Sequence, residues 1–367
     1  MPSRSHMRSP YMEFAKLRSA AKYNLATSGI MTYPLSGLPV RIEDLEINGP
    51  NVHDGKYGHF PLIERIARYN GVSPDCVVTS AGTSMSNHLA MAASFDPGDE
   101  VLIEHPTYEL LESTAVFLGA DLRRFERRFE DGFRIDPAEV ERNITSRTRL
   151  IILTNLHNPS GAYADEATIR AVGDIAKAHG ARVLVDEVYL ETFYGHRPRP
   201  ASEFGEHFLV TSSLTKAFGL SGVRCGWVLA SPELAERMWR INDLFAATPA
   251  HPAELISIVA FDNLDKVAAR AKLLLDTNRK TMNDFLDSRT DLEFYRPQKG
   301  TIVFPKLRSG KVDGFLQLLR EKYETSAVPG YFFDMPQHFR VGIGGDTEMT
   351  RIAFERLACA LDDYRHA

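Results

Sequence analysis

Short apolar, β-rich runs alternate with longer stretches of helical periodicity through the first two-thirds of the chain. Cys76–Ser80 (CVVTS) predicts a strand and Ser84–Phe95 (SMSNHLAMAASF) a helix. A strand at Glu100–Glu104 (EVLIE) and a helix over Tyr108–Leu118 follow. Leu150–Asn155 (LIILTN) and Ala181–Tyr189 (ARVLVDEVY) are apolar without polar alternation, as expected of strands buried on both faces. A helical pattern at Glu166–His179 separates them, and His207–Ser213 and Gly226–Ser231 complete the series.

This alternation predicts an α/β fold whose large domain holds a mostly parallel sheet flanked by helices. Ligands of such sheets bind in the loops beyond the carboxyl ends of the strands. After residue 250 the texture changes. A helical pattern runs over Ala253–Asp287, strand candidates follow at Thr301–Leu307 and Phe339–Gly345, and a last helix covers Glu348–Tyr364. The expected division is a large domain over 46–250 and a smaller α+β domain built from 1–45 and 251–367.

Composition narrows the partners. A net charge of −5 over 367 residues gives no electrostatic reason to expect nucleic acid or an anionic membrane. No apolar stretch approaches the roughly 18 residues of a membrane span. The three cysteines, Cys76, Cys225 and Cys359, are far apart and form no CxxC pair, which fits a reducing cytoplasm better than a disulfide framework. Ser5-His6-Met7 reads as a vector-derived junction, with the natural start expected at Met7 or Met12.

Four strand-end loops carry polar residues suited to one task. In Ala81–Ser84 (AGTS), Gly82 allows close backbone approach, and Thr83 and Ser84 bring hydroxyls to a helix N-terminus, where free N–H groups favour a phosphate; helix capping is the plainer reading of the same residues. Asn155–Gly161 (NLHNPSG), which contains Asn158, reads by itself as a turn. In Val185–Tyr189 (VDEVY), a carboxylate at the end of an apolar strand needs a cation unless solvent reaches it, and a protonated ring nitrogen would serve. In Ser212–Trp227, Lys216 is followed by an apolar, glycine-containing segment. Ser213 lies three positions before it and Arg224 eight after. Such a lysine can act as an imine-forming nucleophile or base, and the arginine fork suits a phosphate.

In this order and spacing the motifs resemble the class I/II aminotransferases, aspartate aminotransferase-like members of the fold-type I pyridoxal-phosphate enzymes. The resemblance covers Tyr57–Gly226 and returns at Phe339–Gly344 (FRVGIG). It implies that 46–250 is the cofactor-binding domain and that Lys216 holds pyridoxal 5'-phosphate as a Schiff base and moves the substrate proton. Asp186 pairs with the pyridinium nitrogen, Tyr189 and Asn158 bond the ring's phenolic oxygen, and Tyr108, in HPTYE, stacks on the ring. Gly82, Thr83, Ser84, Ser213 and Arg224 surround the phosphate. Tyr57 reaches the cofactor of a neighbouring subunit, which implies a homodimer with sites at the interface. Arg340 grips the substrate α-carboxylate, with Asn158 and Gly29 beside it; Gly37 is a second candidate for the glycine. Leu156 stands where the family often has proline, and Ser160 where threonine is usual.

The expected activity is transfer of an amino group between an L-amino acid and a 2-oxo acid. An amino-acid lyase or decarboxylase on the same scaffold is the alternative, because the cofactor stabilises whichever anion the enzyme permits. A non-catalytic sensor is more remote: regulators of that kind place a DNA-binding module ahead of this unit, and the residues before Tyr57 carry no helix-turn-helix pattern. No GxGxxG follows a strand, and the twelve histidines show no metal-binding spacing, so no metal is expected.

Overall fold

The computed structural model describes residues 7–45 and 57–365, so the expected boundary at residue 46 and the junction before Met7 lie outside the described residues. Seven strands form the central sheet. They are β1 (Val77–Ala81), β2 (Glu100–His105), β3 (Asp121–Glu126), β4 (Thr148–Thr154), β5 (Arg182–Asp186), β6 (Phe208–Ser213) and β7 (Cys225–Leu229). Their order across the sheet is β1-β7-β6-β5-β4-β2-β3. All neighbours are parallel except β7, which runs antiparallel to both β1 and β6. The chain is α/β with a mostly parallel sheet between helices, as its apolar runs predict.

Strand β3 was absent from the sequence reading. It is an edge strand carrying Asp121, Arg123, Arg124 and Glu126, and only Phe125 is buried. Charges on an edge strand hide the alternating pattern while discouraging association with other chains. The helical pattern at Ala253–Asp287 resolves into two helices, His251–Asp262 and Leu264–Asp287. They break at Asn263, whose side chain donates to the Val259 carbonyl at 2.8 Å. Thr301–Leu307 likewise divides into Ile302–Val303 and Lys306–Leu307, with the intervening Pro305 unable to donate to a ladder.

The first core packs Val101, Ile151, Leu184, Val210 and Trp227 within the sheet layer. Each such side chain contributes about 1.5–3 kcal/mol by leaving water. A second core gathers Leu25, Ile30, Leu275, Phe315, Phe339 and Leu357. The helix Leu264–Asp287 spans both, with Leu264 and Val267 in the first core and Ala271 and Leu275 in the second. Residues Tyr23–Asn24 pair in parallel with Thr325–Ser326, tying the N-terminal segment to the C-terminal third. That segment then crosses the carboxyl edge of the sheet, where Ile30 N donates to the Lys216 carbonyl at 2.9 Å.

Candidate active site

Residues at or just beyond the ends of strands β1, β2, β4, β5 and β6, with the N-terminal segment, line a cavity of about 310 Å³. Thr83, Ser84, Tyr108, Asn158, Asp186, Tyr189, Ser213, Lys216 and Arg224 all line it. These residues come from five separate loops and meet because parallel strands deliver their carboxyl ends to one edge of the sheet.

Asp186 ends β5 and is 3% exposed. Its Oδ2 accepts from Asn87 Nδ2 at 2.9 Å and its Oδ1 from Val188 N at 3.1 Å. Burial pushes its carboxyl up to about 6, against the opposing pull of these bonds and of Lys216. A cation facing Asp186 would favour its ionised form. Lys216 Nζ donates to Ser28 Oγ at 3.1 Å. A Cβ on Gly29 would lie 3.4 Å from the lysine's Cδ, whereas one on Gly37 would strike the Tyr33 ring. Gly29 is thus the glycine beside the lysine.

At the opposite end of the cavity, Thr83 Oγ1 donates to Ser213 Oγ at 2.8 Å, and the same oxygen accepts from Thr215 N at 3.2 Å. Gly82 precedes the helix Thr83–Ser94 with φ +82°, and a Cβ there would lie 2.4 Å from Arg224 Nη2. Arg224 bonds the carbonyls of Ala81 and Ser221, and among the described residues it has no carboxylate partner. Thr215 Oγ1 is buried without a hydrogen-bond partner among the described residues.

Arg340 lies behind Asn158 and is 1% exposed. Its Nη1 donates to Asn158 Oδ1 at 2.9 Å and its Nη2 to the Tyr11 hydroxyl oxygen at 2.6 Å. Tyr57 lies outside this cavity. Its ring stacks on Trp239 with centroids 5.8 Å apart, its hydroxyl donates to Asp243 at 3.2 Å, and it is 40% exposed.

Residues 51–357 match the family model for aminotransferase class I and II. The chain belongs to that family. Among its relatives, arginine–pyruvate transaminase of Pseudomonas aeruginosa is 29% identical over 314 residues, covering 82% of this chain and 79% of the relative. Capreomycidine synthase of Streptomyces vinaceus is 28% identical over 332 residues, covering 88% and 85%. A PLP-dependent aminotransferase from Streptococcus suis shares the fold with a TM-score of 0.90 at 22% identity, covering 97% of this chain and 98% of that one. The protein is a pyridoxal-phosphate-dependent aminotransferase by family.

The residues of this aminotransferase fit that cofactor. A buried acid in need of a cation stands at one end of the cavity. The same lining holds Arg224 and the Thr215 hydroxyl, which among the described residues have no carboxylate partner and no hydrogen-bond partner respectively, and the N-terminal residues Thr83 and Ser84 of a helix.

Asn87, Tyr11 and Ser28 are among the lining residues that escaped the sequence reading. Asn87 sits one helical turn after Thr83 and is held by Thr211, whose hydroxyl donates to Asn87 Oδ1 at 2.6 Å. Its legible signal is an amide one turn into a helix of mostly small residues. Tyr11 and Ser28 come from the N-terminal segment and left none, because only the tertiary fold brings that segment across the sheet edge. His157 is fully buried outside the cavity lining, between Ser160 Oγ at 2.6 Å and the Pro106 carbonyl at 2.8 Å. Burial holds its imidazole well below the ordinary range, with Arg127 adding to the effect. Among the described residues no helix is long and apolar enough to cross a membrane, and no cluster of three or more acids, histidines or cysteines could hold a metal ion.

Proposed function

We propose that this aminotransferase moves an amino group between an L-amino acid and a 2-oxo acid, with Lys216 as its catalytic lysine. The observation that carries the reading is the meeting of Lys216, Asp186, Asn158 and Tyr189 in one cavity, with Arg340 bonded to Asn158. When bound, pyridoxal phosphate supplies a reactive carbonyl and a ring that accepts electrons from the substrate Cα. The chain's own residues do the rest. Thr83, Ser84, Ser213 and Arg224 hold the phosphate with hydroxyl, N–H and guanidinium donors, and Gly82 lets Arg224 approach. Asp186 would pair with a protonated ring nitrogen, Tyr189 and Asn158 would offer hydrogen bonds to the ring oxygen, and Tyr108 would pack against the ring. Arg340, with Gly29 alongside, receives the substrate carboxylate as a planar fork and fixes the Cα–H bond near Lys216 Nζ, which takes and returns that proton.

The exposed Tyr57 supports a homodimer in which this side chain faces the partner's site. The second core, drawn from Leu25, Ile30 and residues between Ala271 and Leu361, supports a division into 46–250 and 1–45 with 251–367, while Tyr33, Leu38, Ala260, Leu264 and Val267 pack in the first core. Three free cysteines fit a cytoplasmic enzyme. The likeness to a synthase keeps a second reading, in which the same site catalyses elimination, decarboxylation or another amino-acid reaction.

The test is an absorbance spectrum of the protein with pyridoxal phosphate, before and after a panel of amino acids. A visible band that bleaches with particular donors, while a 2-oxo acid accumulates, supports transamination. Release of ammonia or carbon dioxide supports the second reading. Lys216→Ala is expected to keep the fold and lose transamination, and a protein that stays colourless with added cofactor overturns the assignment of Lys216.

A further inference from the structure

The helix Pro10–Leu17 forms one wall of the cavity. Tyr11, Met12 and Ala15 line it, with Ser19 just past the helix end, at the spacing of one helical face. Glu13 and Lys16 fall between them and stay out of the lining. Glu13 pairs instead with Arg8 at 3.5 Å and Arg18 at 3.8 Å. The wall is fixed at its start, where Ser9 Oγ accepts from Met12 N at 3.1 Å and donates to Glu109. Tyr11 also packs edge-on against the rings of Tyr108 at 5.4 Å and Phe332 at 5.8 Å. Ala26 and Val188, both buried, add further apolar side chains to the lining.

The polar groups of this wall are already bonded. Ser19 Oγ donates to the Ala15 carbonyl at 2.7 Å, the Tyr108 hydroxyl donates to Met12 Sδ at 3.4 Å, and the Tyr11 oxygen accepts from Arg340 Nη2 at 2.6 Å. Thr27, also in the lining, is exposed to solvent. Among the described residues the charged side chains of the lining are Asp186, Lys216 and Arg224, all three assigned above to the cofactor. No charge is left over for a donor's side chain.

We propose that the amino donor carries an uncharged, apolar side chain, and that Met12 and Ala15 are the specificity-determining residues that receive it. The inference rests on the reading of Arg340 as the carboxylate site and Lys216 as the cofactor lysine. Arg340 holds one end of the donor beside Tyr11. Met12 is the next residue and Ala15 lies one turn on, so a side chain directed along this face meets a thioether and a methyl group. A carboxylate or guanidinium placed there loses its water and gains no counter-charge, which strongly disfavours it. An amide finds the Ser19 and Tyr108 hydroxyl protons already donated. Apolar carbon gives up nothing, and the flexible thioether of Met12 adapts to branched or aromatic shapes.

The test is titration calorimetry on the protein loaded with pyridoxal phosphate, using four carboxylates that lack the α-amine and so bind without reacting. Isocaproate, glutaramate, glutarate and δ-guanidinovalerate carry the side chains of leucine, glutamine, glutamate and arginine. Isocaproate should bind most tightly, with glutaramate about tenfold weaker. The two charged probes should be roughly 100-fold weaker. Met12→Arg supplies the missing cation and should shift the isocaproate-to-glutarate ratio at least about tenfold toward glutarate. Ala15→Phe fills the wall and should weaken isocaproate more than the smaller propionate. A wild type that binds any other probe as tightly as isocaproate overturns the proposal, as do two variants that leave every ratio unchanged. Failure of the underlying reading is separately visible in Arg340→Gln, which should weaken all four probes. Binding that survives this variant removes the carboxylate site and the proposal with it. Arg340-dependent binding led by a charged probe removes the apolar donor alone.

Discussion

Asn87 and Asp186 meet at the base of the cavity, where the amide Nδ2 donates to the carboxylate Oδ2 at 2.9 Å. The amide cannot flip without losing its other bond, because Thr211 donates to its oxygen at 2.6 Å. Thr211 on β6 thus fixes Asn87 on the helix Thr83–Ser94, and Asn87 fixes the acid on β5.

Replacing Asn87 with alanine removes a buried bond to a carboxylate and leaves Thr211 Oγ1 without its acceptor. The expected loss of stability is about 1–3 kcal/mol. The bond also lowers the Asp186 carboxyl, so its removal should raise that group's titration further. In the variant loaded with pyridoxal phosphate, turnover should fall while donor KM changes little, because Arg340 is untouched. An Asn87→Ala enzyme with wild-type turnover would show that Asp186 needs no such support.

The carboxyl ends of the strands put Arg224 beside Gly82 and the hydroxyls of Thr83 and Ser213. A charge-assisted bond is worth about 1.5–3 kcal/mol, roughly 10- to 100-fold in affinity. Arg224→Gln should weaken binding of pyridoxal phosphate to the cofactor-free protein by that factor and leave binding of pyridoxal unchanged. Equal weakening of both ligands would place Arg224 away from the phosphate.

Next to Asp186, Glu187 is 2% exposed. Its Oε1 accepts from Ala201 N at 2.9 Å, while its Oε2 has no hydrogen-bond partner among the described residues. Burial pushes its carboxyl up to about 8 from an ordinary 4.5, with Arg197 opposing. The folded chain therefore holds this proton to higher pH than the unfolded chain does. The stability it contributes is fully present below the ordinary value and is lost as pH rises toward 8, on the order of a few kcal/mol. Glu187→Gln keeps the acceptor and cannot ionise. Urea midpoints should be similar for variant and wild type near pH 5 and favour the variant by pH 8.5. A gap that does not widen with pH would mean that Glu187 is ionised in the folded protein at neutral pH.

Strands β4 and β5 were legible because burial on both faces leaves an unbroken apolar run, and the acid closing the second run announces itself by its cost. Lys216 and Arg224 were legible as a spaced pair around a glycine-rich turn. The edge strand β3 was not, since its charged residues belong to solvent. Tyr11 and Ser28 were illegible for another reason. They reach the site through contacts distant in sequence, such as the parallel pairing of Tyr23–Asn24 with Thr325–Ser326 across 302 positions of the chain, which no local pattern encodes. Asn87 was readable in principle, since a polar residue on the buried side of a small-residue helix needs a partner.

A buried ion pair supports the loops that present Tyr108 and Asn158. Arg127 Nη1 meets Glu104 Oε2 at 2.6 Å, and both side chains are 0% exposed. Glu104 Oε1 also accepts from Thr154 N at 2.7 Å and Thr154 Oγ1 at 2.6 Å, and Arg127 Nε donates to the Phe133 carbonyl at 2.7 Å. Thr154 Oγ1 then accepts from Asn158 N at 3.0 Å. The pair therefore ties the end of β2, which leads to Tyr108, to the end of β4, which leads to Asn158. Removing one partner strands a buried charge, so Arg127→Met and Glu104→Leu should each cost about 3–5 kcal/mol. The double variant buries no charge and should cost clearly less than the sum of the two, a coupling readable from a denaturation cycle. If the losses instead add, the two side chains are not acting as one unit. The double variant should also bind pyridoxal phosphate while showing a raised donor KM, because the Thr154–Asn158 turn that meets Arg340 has lost the acid that holds Thr154.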